Sequence, residues 1–342
     1  MIDYLICSFS NKTFLKSSEI NNLIDKAISK RFKKKKITVS DGGEDLRNVL
    51  FEKKYLKFFN IKITSADYTK KKIKIPYCKK KKFALIQFSE IIGGFDKKFK
   101  NGMYRTSYGI GECINFISKK KIKKIIISTG GSTVSDCGVG MLSSLGTTFI
   151  DKRYKILNFE KKMNCFKLRE IKLINFSQEN KNLKKIKFVI LSDSNVKLVG
   201  KYGQVKTFAS QKNIFGNKKK ILEQGYENFL KILSKKTKKK LNINYLGSGG
   251  GICTSLYSNF DATLTPATQF IFKKTNFLEK VKSSKTIISG EGIIDKSSFM
   301  GKGTGEIYKI TKHYKKKLIL IAGMNKYKKI IKNCKVVETN KN

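Results

Sequence analysis

The placement of glycine constrains this chain more than any other feature of its sequence. The 342 residues include 26 glycines, yet the first 41 residues contain none. Most of the glycines fall in clusters that directly follow short apolar runs. Such clusters are typical of strand–turn–helix corners, where the backbone needs a positive φ or a close approach to a ligand. The pattern therefore predicts an α/β fold.

Four of these corners share one order of elements. A buried-strand pattern runs into a loop rich in Gly, Ser and Asp at 124–133, 186–195, 286–292 and 37–44. After the first corner, apolar residues at helical spacing predict a helix over 134–145. Loops at the carboxyl ends of parallel strands form the active edge of an open α/β sheet, and their N–H groups bind phosphate or carboxylate.

Two further segments have simpler patterns. Short apolar and Lys residues alternate over 60–90, which predicts antiparallel strands with Lys on the solvent face. Residues 213–240 predict a Lys-rich amphipathic helix with apolar residues at 221, 229, 230 and 233. The charge runs at 33–36, 79–82 and 238–240 are interpreted as turns or helix ends.

The charge of the chain is extreme but evenly spread. Lys and Arg total 74 against 25 Asp and Glu, a net charge of +49, and only five of the cations are Arg. Proteins that read nucleic-acid bases rely on Arg, so the lysines are interpreted as solvated surface residues without a specific nucleic-acid partner. Nonspecific binding to nucleic acid or to an anionic membrane remains the alternative.

Targeting signals and the common nucleophile and metal motifs are absent from the sequence. No apolar run reaches the roughly 18–20 residues of a membrane span, and the first residues lack a signal-peptide pattern, so we expect a cytoplasmic protein with no membrane partner. Seven cysteines without a C-x-x-C pair predict reduced, mostly buried thiols. The one histidine, His313, is predicted to be exposed. Neither a Walker A loop nor a Rossmann fingerprint occurs.

Acidic residues on the predicted loops give a positive indication of function. They stand beside hydroxyl and glycine donors and three lysines, in a set that comprises Asp41, Glu44, Asp136, Asp193, Glu291, Asp295, Lys12, Lys212 and Lys302. Carboxylates hold Mg²⁺ or take a proton from an attacking hydroxyl, and Gly/Ser loops and Lys offset phosphate charge. These groups together are the requirements of phosphoryl transfer.

Several motifs resemble those of the bacterial glycerate kinase type-1 family. The strongest lies at 130–142, Gly-Gly-Ser-Thr-Val-Ser-Asp-Cys-Gly-Val-Gly-Met-Leu. Asp-Gly-Gly-Glu at 41–44, Arg-Thr-Ser-Tyr-Gly-Ile-Gly-Glu at 105–112 and Gly-Glu-Gly-Ile-Ile-Asp at 290–295 are similar to further family motifs, as are Gln-Lys at 211–212 and the glycines at 249–251. The resemblance runs along nearly the whole chain.

The resemblance implies a kinase that transfers phosphate from ATP to a hydroxyl of D-glycerate. The expected product is 2-phosphoglycerate, with 3-phosphoglycerate as the other possibility, and the implied cofactors are ATP and Mg²⁺. It also implies two α/β domains with the active site in the cleft between them. The first, Rossmann- or flavodoxin-like, would span 1–58 and 246–342. The second, an inserted mixed α/β domain, would span 59–245. Assembly as a homodimer is left open.

The family's functional residues transfer to matching positions of this chain. Asp193, Asp295 and Lys12 are the expected catalytic residues, and Asp193 and Asp295 are also the expected Mg²⁺ ligands. Asp193 is the first choice as the base, and a helix N-cap is its structural alternative. The expected substrate- and phosphate-binding residues are Ser10, Asp41, Gly42, Gly43, Gly130, Gly131, Ser132, Asp136, Gly250, Gly290, Glu291 and Lys302.

The chain departs from the family in several motifs, among them Ser135 in place of Asn and Ser297 in place of Gln. Phe9 stands where the family has an acidic residue, and 194–197 have lost the family's Thr-Asn-Pro. A second function therefore stays open, that of a weakly active or inactive homologue that binds an anionic small molecule.

Overall fold

The computed structural model describes residues 1–11, 15–40, 42–43, 45–94, 101–176, 181–299, 303–327 and 333–339, with the backbone alone at 296–297. The strands are β1 (Ile2–Ile6), β2 (Lys34–Lys36), β3 (Leu56–Thr64), β4 (Lys70–Cys78), β5 (Phe83–Gln87), β6 (Lys124–Ser128), β7 (Thr148–Asp151), β8 (Ile171–Asn175), β9 (Lys187–Ser192), β10 (Thr263–Pro266), β11 (Ser284–Ile294), β12 (Lys317–Asn325) and β13 (Cys334–Glu338). The α-helices are α1 (Ser17–Ala27), α2 (Leu46–Leu50), α3 (Phe88–Ile92), α4 (Tyr108–Ser118), α5 (Val139–Ser144), α6 (Gln204–Phe208), α7 (Asn217–Thr237), α8 (Ile252–Phe260), α9 (Ala267–Lys274), α10 (Phe277–Lys282) and α11 (Gly303–His313).

The chain divides into two compact units, and the predicted α/β class is confirmed. Unit 1 comprises 1–54 and 266–342, and unit 2 comprises 55–265. The sequence-based division placed 246–265 with the first domain. In the structure this segment belongs to unit 2, because α8 packs against β9 and β10 joins the β9 edge of the same sheet.

Within its described residues, unit 1 contains a five-stranded parallel sheet in the order β13-β12-β11-β1-β2. The chain passes from β1 to β2 on one side, and from β11 to β12 and β13 on the other. The direction of winding therefore changes between β1 and β11. Crevices at such a switch point, outside the carboxyl ends of the strands, are where open α/β sheets bind ligands.

The two faces of the unit 1 sheet are covered unequally. Helices α10 and α11 pack on one face, over a core that includes Leu5, Ile287 and Leu320. On the opposite face, α1 places Ile24 against Ile6 and Ile288. A cavity of about 900 Å³ lies beside α1, and its walls are mainly apolar. Exposed side chains that line it are Leu15, Leu23, Ile293, Met324 and Val337.

The strand predicted at 37–40 is displaced in the structure. The ladder contains Lys34–Lys36, which pair with Tyr4, Leu5 and Ile6 of β1, and the run predicted as a turn is therefore an edge strand. Beyond it, the Ile37 amide donates to the Ile6 carbonyl, where β1 ends, and no ladder follows. Lysines suit an edge strand because their charge opposes pairing with another sheet edge.

Unit 2 contains a six-stranded mixed sheet among its described residues, in the order β10-β9-β6-β5-β4-β3. The antiparallel prediction for 60–90 is confirmed for β3 and β4, and the lysines of β4 are exposed. Strands β5, β6 and β9 run parallel, so their carboxyl ends meet at one edge. The predicted long helix is α7, which buries Leu222, Tyr226, Phe229 and Leu233 rather than the residues at 221 and 230.

The helix predicted over 134–145 begins five residues late, at Val139. Cys137 and Gly138 have positive φ values of 53° and 81°, which no α-helix accommodates. Residues 134–138 instead form an irregular segment held by hydrogen bonds from outside it. The spacing of apolar residues could not reveal this segment, because hydrogen bonds to Asp136 hold it and not the packing of a helical face.

The predictions for the cysteines and for the histidine are confirmed. All seven cysteines are free, and six of them are buried. His313 is exposed, as predicted. Across the described parts of the chain, no helix is long and apolar enough to cross a membrane.

Candidate active site

Asp193 follows β9 directly and is the centre of a polar cluster in unit 2. Its Oδ1 accepts hydrogen bonds from the Thr129 hydroxyl at 3.0 Å and from the Ser248 hydroxyl. The oxygens of these two hydroxyls lie 2.8 Å apart. Among the described residues, Oδ2 accepts no hydrogen bond, and the side chain is half-buried. No helix begins near Asp193, since α6 starts at residue 204, so the structure does not support an N-cap role.

The 130–133 loop follows β6 and passes in front of Asp193. A Cβ built on Gly130 would lie 3.6 Å from Asp193 Oδ2, in ordinary contact. Gly131 has a φ of +76°, and a Cβ there would lie 2.9 Å from Ser89 Cβ. Within the described structure, the buried Ser132 hydroxyl has no hydrogen-bond partner. A buried donor without a partner indicates a place that a ligand or a water fills.

A turn at 249–251 closes the cluster from the side of α8. Its three glycines all have positive φ, from 63° to 86°, which side-chain-bearing residues rarely adopt. A Cβ on Gly249 would lie 2.7 Å from the Phe88 ring, and one on Gly250 would lie 2.1 Å from the Val134 carbonyl oxygen. The glycines therefore allow this turn to approach the carboxyl ends of β5 and β6.

Asp136 is fully buried in the irregular segment before α5. Its carboxylate accepts from the Ser107 amide and hydroxyl, both at 2.8 Å, and from the Gly138 and Gly140 amides at 3.1 and 3.2 Å. Burial raises the pKa of this carboxyl group, and the hydrogen bonds oppose the rise. With four donors in place, Asp136 is suited to holding the segment rather than to binding substrate.

Lys212 lies below the 249–251 turn and is 4% exposed. Its ammonium group donates to the Val134 carbonyl oxygen at 2.5 Å. Burial lowers the pKa of Lys212 to about 8, while the charges of Asp136 and Asp193 oppose the shift. A buried cation is expensive to maintain unless neighbouring groups compensate for its lost hydration.

Other candidate residues lie in the loops of unit 1. The Phe9 amide donates to the Gly290 carbonyl at 2.8 Å, which joins the end of β1 to β11. A Cβ on Gly290 would lie 2.0 Å from the Ile321 carbonyl oxygen, so this glycine is required by strand packing. Ser10 is half-buried in the loop after Phe9, and Gly42 donates to the Ser40 hydroxyl at 3.1 Å, beside Gly43.

Phe9 occupies the position where the family has an acidic residue. Its side chain is buried in the core of unit 1, and a Cβ on Gly303, at the start of α11, would overlap the ring. An apolar ring thus occupies the switch point of the unit 1 sheet. The chain therefore has no negative charge at this position, in contrast to the family motif.

Asp295 and Glu291 follow the switch point along β11. Asp295 Oδ1 accepts a hydrogen bond from the Ser298 amide at 3.2 Å, and the Asp295 amide donates to the Ser298 hydroxyl oxygen at 3.2 Å. Glu291 is half-buried and lines the cavity beside α1. Lys12, Asp41 and Lys302, together with Glu44, lie outside the described residues.

The described residues offer Mg²⁺ single carboxylates rather than a cluster of ligands. No three His, Cys, Asp or Glu side chains in the described parts of the chain gather into a metal site. Mg²⁺ in phosphoryl transfer commonly keeps several waters and takes one or two carboxylates together with substrate phosphates. Asp193 and Asp295 each offer a single carboxylate in a loop, and either one fits that requirement.

Thr129 and Ser248 were missed among the sequence-based candidates, whereas Lys212 was among the candidate lysines without a role of its own. Thr129 and Ser248 hold Asp193, and Lys212 is the buried cation. Each one adjoins or lies in a motif that was recognised: Thr129 precedes the 130–133 loop, Ser248 precedes the 249–251 turn, and Lys212 ends the Gln-Lys pair. Adjacency to a glycine corner was the available signal for two of them.

Comparisons with known proteins agree with these motifs. A sequence model of the glycerate kinase family matches residues 4–338. The chain is 26% identical over 326 residues to a glycerate kinase from Haemophilus influenzae, covering 94% of this chain and 85% of that protein. It is 27% identical over 246 residues to one from Halalkalibacterium halodurans, covering 71% of this chain but 64% of that protein.

A solved structure supports the fold independently. The crystal structure of a protein described as glycerate kinase 2 from Salmonella typhimurium LT2 matches with a TM-score of 0.75 at 22% identity, covering 94% of this chain and 87% of that one. At this identity the likeness concerns the fold. The family assignment rests on the sequence match, which spans nearly every residue from β1 to β13. The chain therefore belongs to the glycerate kinase family.

Proposed function

We propose that this protein transfers the γ-phosphoryl group of ATP to a hydroxyl of D-glycerate, with 2-phosphoglycerate as the product and 3-phosphoglycerate as the alternative. The observation that carries the proposal is the carboxylate of Asp193, which two hydroxyls hold at the carboxyl end of β9 beside the 130–133 loop. Family membership supplies the substrate class.

Asp193 is the proposed proton acceptor. Thr129 and Ser248 donate to Oδ1, which leaves Oδ2 on the side of Gly130 for the substrate hydroxyl. As the hydroxyl oxygen bonds to the γ-phosphorus, its proton passes to Oδ2 and the bond from the phosphorus to the ADP oxygen breaks. The two held hydroxyls fix the orientation of the carboxylate, so little reorganisation is needed during transfer.

The 130–133 loop is the proposed anion site. Its glycines leave the backbone open to close approach, and the Ser132 hydroxyl is a buried donor without a partner among the described residues. A phosphate or carboxylate oxygen would satisfy that donor. Loops between a strand and a following helix commonly bind anions through such groups.

Mg²⁺, when bound, would offset charge on the phosphate oxygens. Its candidate protein ligands are Asp193 and Asp295, each of which is a half-buried carboxylate in a loop of its own unit. The contact of Asp295 with the Ser298 amide occupies one lone pair of Oδ1 and would fix the direction of the carboxylate.

The direct test is an assay of the purified chain with D-glycerate and Mg-ATP, coupled to ADP release, with the product resolved by ³¹P NMR. We expect ADP release that depends on glycerate, together with a 2-phosphoglycerate signal. ADP release without a phosphoglycerate signal, or none at all above the background without glycerate, would contradict the proposal.

A second candidate is favoured by Phe9, whose ring fills the switch point in unit 1. A homologue that had lost turnover would still bind an anionic small molecule through the 130–133 loop. Calorimetry with glycerate and with ATP separates the two functions. Binding of either ligand without product formation would support the second candidate, whereas turnover would exclude it.

A further inference from the structure

Lys212 differs from every other lysine whose side chain the structure describes. It alone among them is buried, while the rest are exposed or half-buried. In a chain with 74 basic residues, surface lysines follow from composition. A buried ammonium group does not, because removing its charge from water carries a large free-energy cost.

Asp136 does not need this ammonium group as a hydrogen-bond donor. Its fully buried carboxylate, which interacts electrostatically with Lys212, already accepts four hydrogen bonds from the Ser107, Gly138 and Gly140 donors. An ammonium group has three N–H donors, and among the described residues only the Val134 carbonyl accepts from Lys212 Nζ. The other two N–H donors of Lys212 Nζ have no acceptor among the described residues.

The ammonium group of Lys212 lies close to the proposed site of phosphoryl transfer. A Cβ on Gly250 would lie 3.0 Å from Nζ, so the glycine turn lets the charge lie directly beneath the backbone. Asp193 is close enough to Lys212 to interact electrostatically with it, and so is Asp136. Cys137 and Cys165 also interact with Lys212, and burial keeps both thiols neutral by raising their pKa values.

We propose that Lys212 supplies, from beneath the 249–251 turn, the positive charge that offsets the phosphoryl group as it is transferred beside Asp193. This inference rests on the proposed function. The attacking hydroxyl contacts Asp193 and the phosphorus at once, so a cation near that carboxylate is also near the phosphoryl oxygens. A preorganised charge in a water-poor site stabilises developing negative charge more strongly than a surface charge does.

The test compares Lys212→Met with the wild type, and Lys235→Met serves as the control because Lys235 is an exposed lysine on α7. We expect kcat to fall by roughly 10²–10³-fold in Lys212→Met, with KM for glycerate unchanged and Lys235→Met unaffected. An unchanged kcat would overturn the inference. A raised KM for glycerate with kcat intact would also overturn it, by placing the charge at the substrate carboxylate.

A binding measurement tests the same charge without turnover. The wild type should bind AMP-PNP more tightly than ADP in the presence of Mg²⁺, and Lys212→Met should lose roughly tenfold of that preference. A preference that survives the substitution would overturn the inference. A wild type that shows this preference but does not phosphorylate glycerate would contradict the proposed substrate and leave the role of Lys212 standing.

Poor folding of Lys212→Met would not obstruct the test. In Lys212→Gln the side-chain amide keeps an N–H donor near the Val134 carbonyl while the charge is removed. The same loss of the AMP-PNP preference is expected in this variant. Retention of the preference in a folded Lys212→Gln variant would assign Lys212 to the support of the 134–138 segment and overturn the inference.

Discussion

Two neighbouring glycines in the 130–133 loop differ in their physical need to be glycine. Gly130 has an ordinary φ, and a Cβ there would only touch Asp193 Oδ2, at 3.6 Å. Gly131 combines a φ of +76° with a Cβ position 2.9 Å from Ser89. Neither strain nor a clash requires glycine at the first position, and backbone geometry requires it at the second.

This contrast gives a paired prediction. Gly130→Ala should change the free energy of unfolding by less than about 1 kcal/mol, since no strain is introduced. It should reduce turnover roughly tenfold, because the methyl group occupies space beside the proposed base. Gly131→Ala should lose about 1–3 kcal/mol of stability, because alanine is strained at positive φ. Urea unfolding and the glycerate assay measure both effects, and a stable Gly131→Ala variant would contradict the geometry.

The pKa of Lys212 leads to a prediction about pH. Burial lowers the pKa of Lys212 from 10.5 to about 8 in the folded chain. Turnover should therefore fall as pH rises above about 8, because the site loses its cation. The folded state binds fewer protons than the unfolded state between these pKa values, so the free energy of unfolding should rise with pH there. At 1.36 kcal/mol per pKa unit, the rise in the free energy of unfolding is at most roughly 3–4 kcal/mol.

Many lysines titrate in this pH range. The stability prediction therefore concerns the difference in unfolding free energy between the wild type and Lys212→Met. Unfolding free energies of the wild type and of Lys212→Met, measured from pH 7 to pH 10.5, should diverge in favour of the wild type as pH increases. Parallel curves would show that Lys212 is not perturbed in the folded state. A turnover profile that stays level to pH 10 would contradict the role assigned to its charge.

At the scale of elements, the segment before α5 depends on a single carboxylate. Asp136 gathers the start of α4, through Ser107, and the first turn of α5, through Gly138 and Gly140. The Ser107 hydroxyl also accepts from the Met141 amide at 2.9 Å. The connection fixes α4 against α5 and keeps residues 134–138 out of a regular helix.

Asp136→Asn should therefore destabilise unit 2 by about 2–4 kcal/mol, because the new amide group points N–H donors at backbone N–H donors. Asp261→Asn is the matched control. The Asp261 side chain is 99% exposed and forms a surface ion pair with Lys239, so we expect a change below about 0.5 kcal/mol. Urea midpoints provide the comparison. Equal effects in the two variants would show that Asp136 does not hold the segment.

Regular elements with one periodic apolar face could be predicted from the sequence. Strands β6, β9 and β11 and the helix α7 were recognised because their burial follows their own period. The segment 134–138 was wrongly predicted as helix because the hydrogen bonds of Asp136, and not a helical apolar face, determine its conformation. Likewise, β2 consists of three lysines, and only its pairing with β1 makes it a strand.

Site residues that lie in a recognisable motif could be predicted from the sequence. Residues that only the folding of the chain brings to the site could not. Asp193 was identified by its place after a strand, and the 130–133 loop by its glycines. Ser248 reaches Asp193 from 55 positions along the chain, a pairing that depends on the 249–251 turn. Asp136 belongs to the strongest motif, yet its four hydrogen bonds indicate a supporting role that the motif alone could not reveal.

At the scale of the molecule, the most prominent property is the net charge of +49. Nearly all described lysines are exposed, and they occur on every element type, including β4, α7 and β2. Scattered charges make few simultaneous phosphate contacts, so electrostatic attraction to a polyanion should be broad and sensitive to salt. The charge then affects solubility and nonspecific binding rather than defining a nucleic-acid site.

We expect the chain to bind a double-stranded DNA column at low salt and to elute by about 0.2 M NaCl, because each contact is lost as counterions compete. Elution should not depend on the sequence of the DNA. Retention above about 0.5 M NaCl, or preference for one sequence, would show that the lysines form a coherent binding surface and would favour the nucleic-acid alternative.

The central claim is that Asp193 accepts the proton in phosphoryl transfer, and Asp193→Asn tests it most directly. The asparagine oxygen can still accept from Thr129 and Ser248, so we expect an unchanged melting temperature and an unchanged Mg²⁺ requirement. Turnover of D-glycerate should fall by about 10²–10⁴-fold. Normal turnover would contradict the claim, as would activity that excess Mg²⁺ restores, since that result would make Asp193 a metal ligand instead of the base.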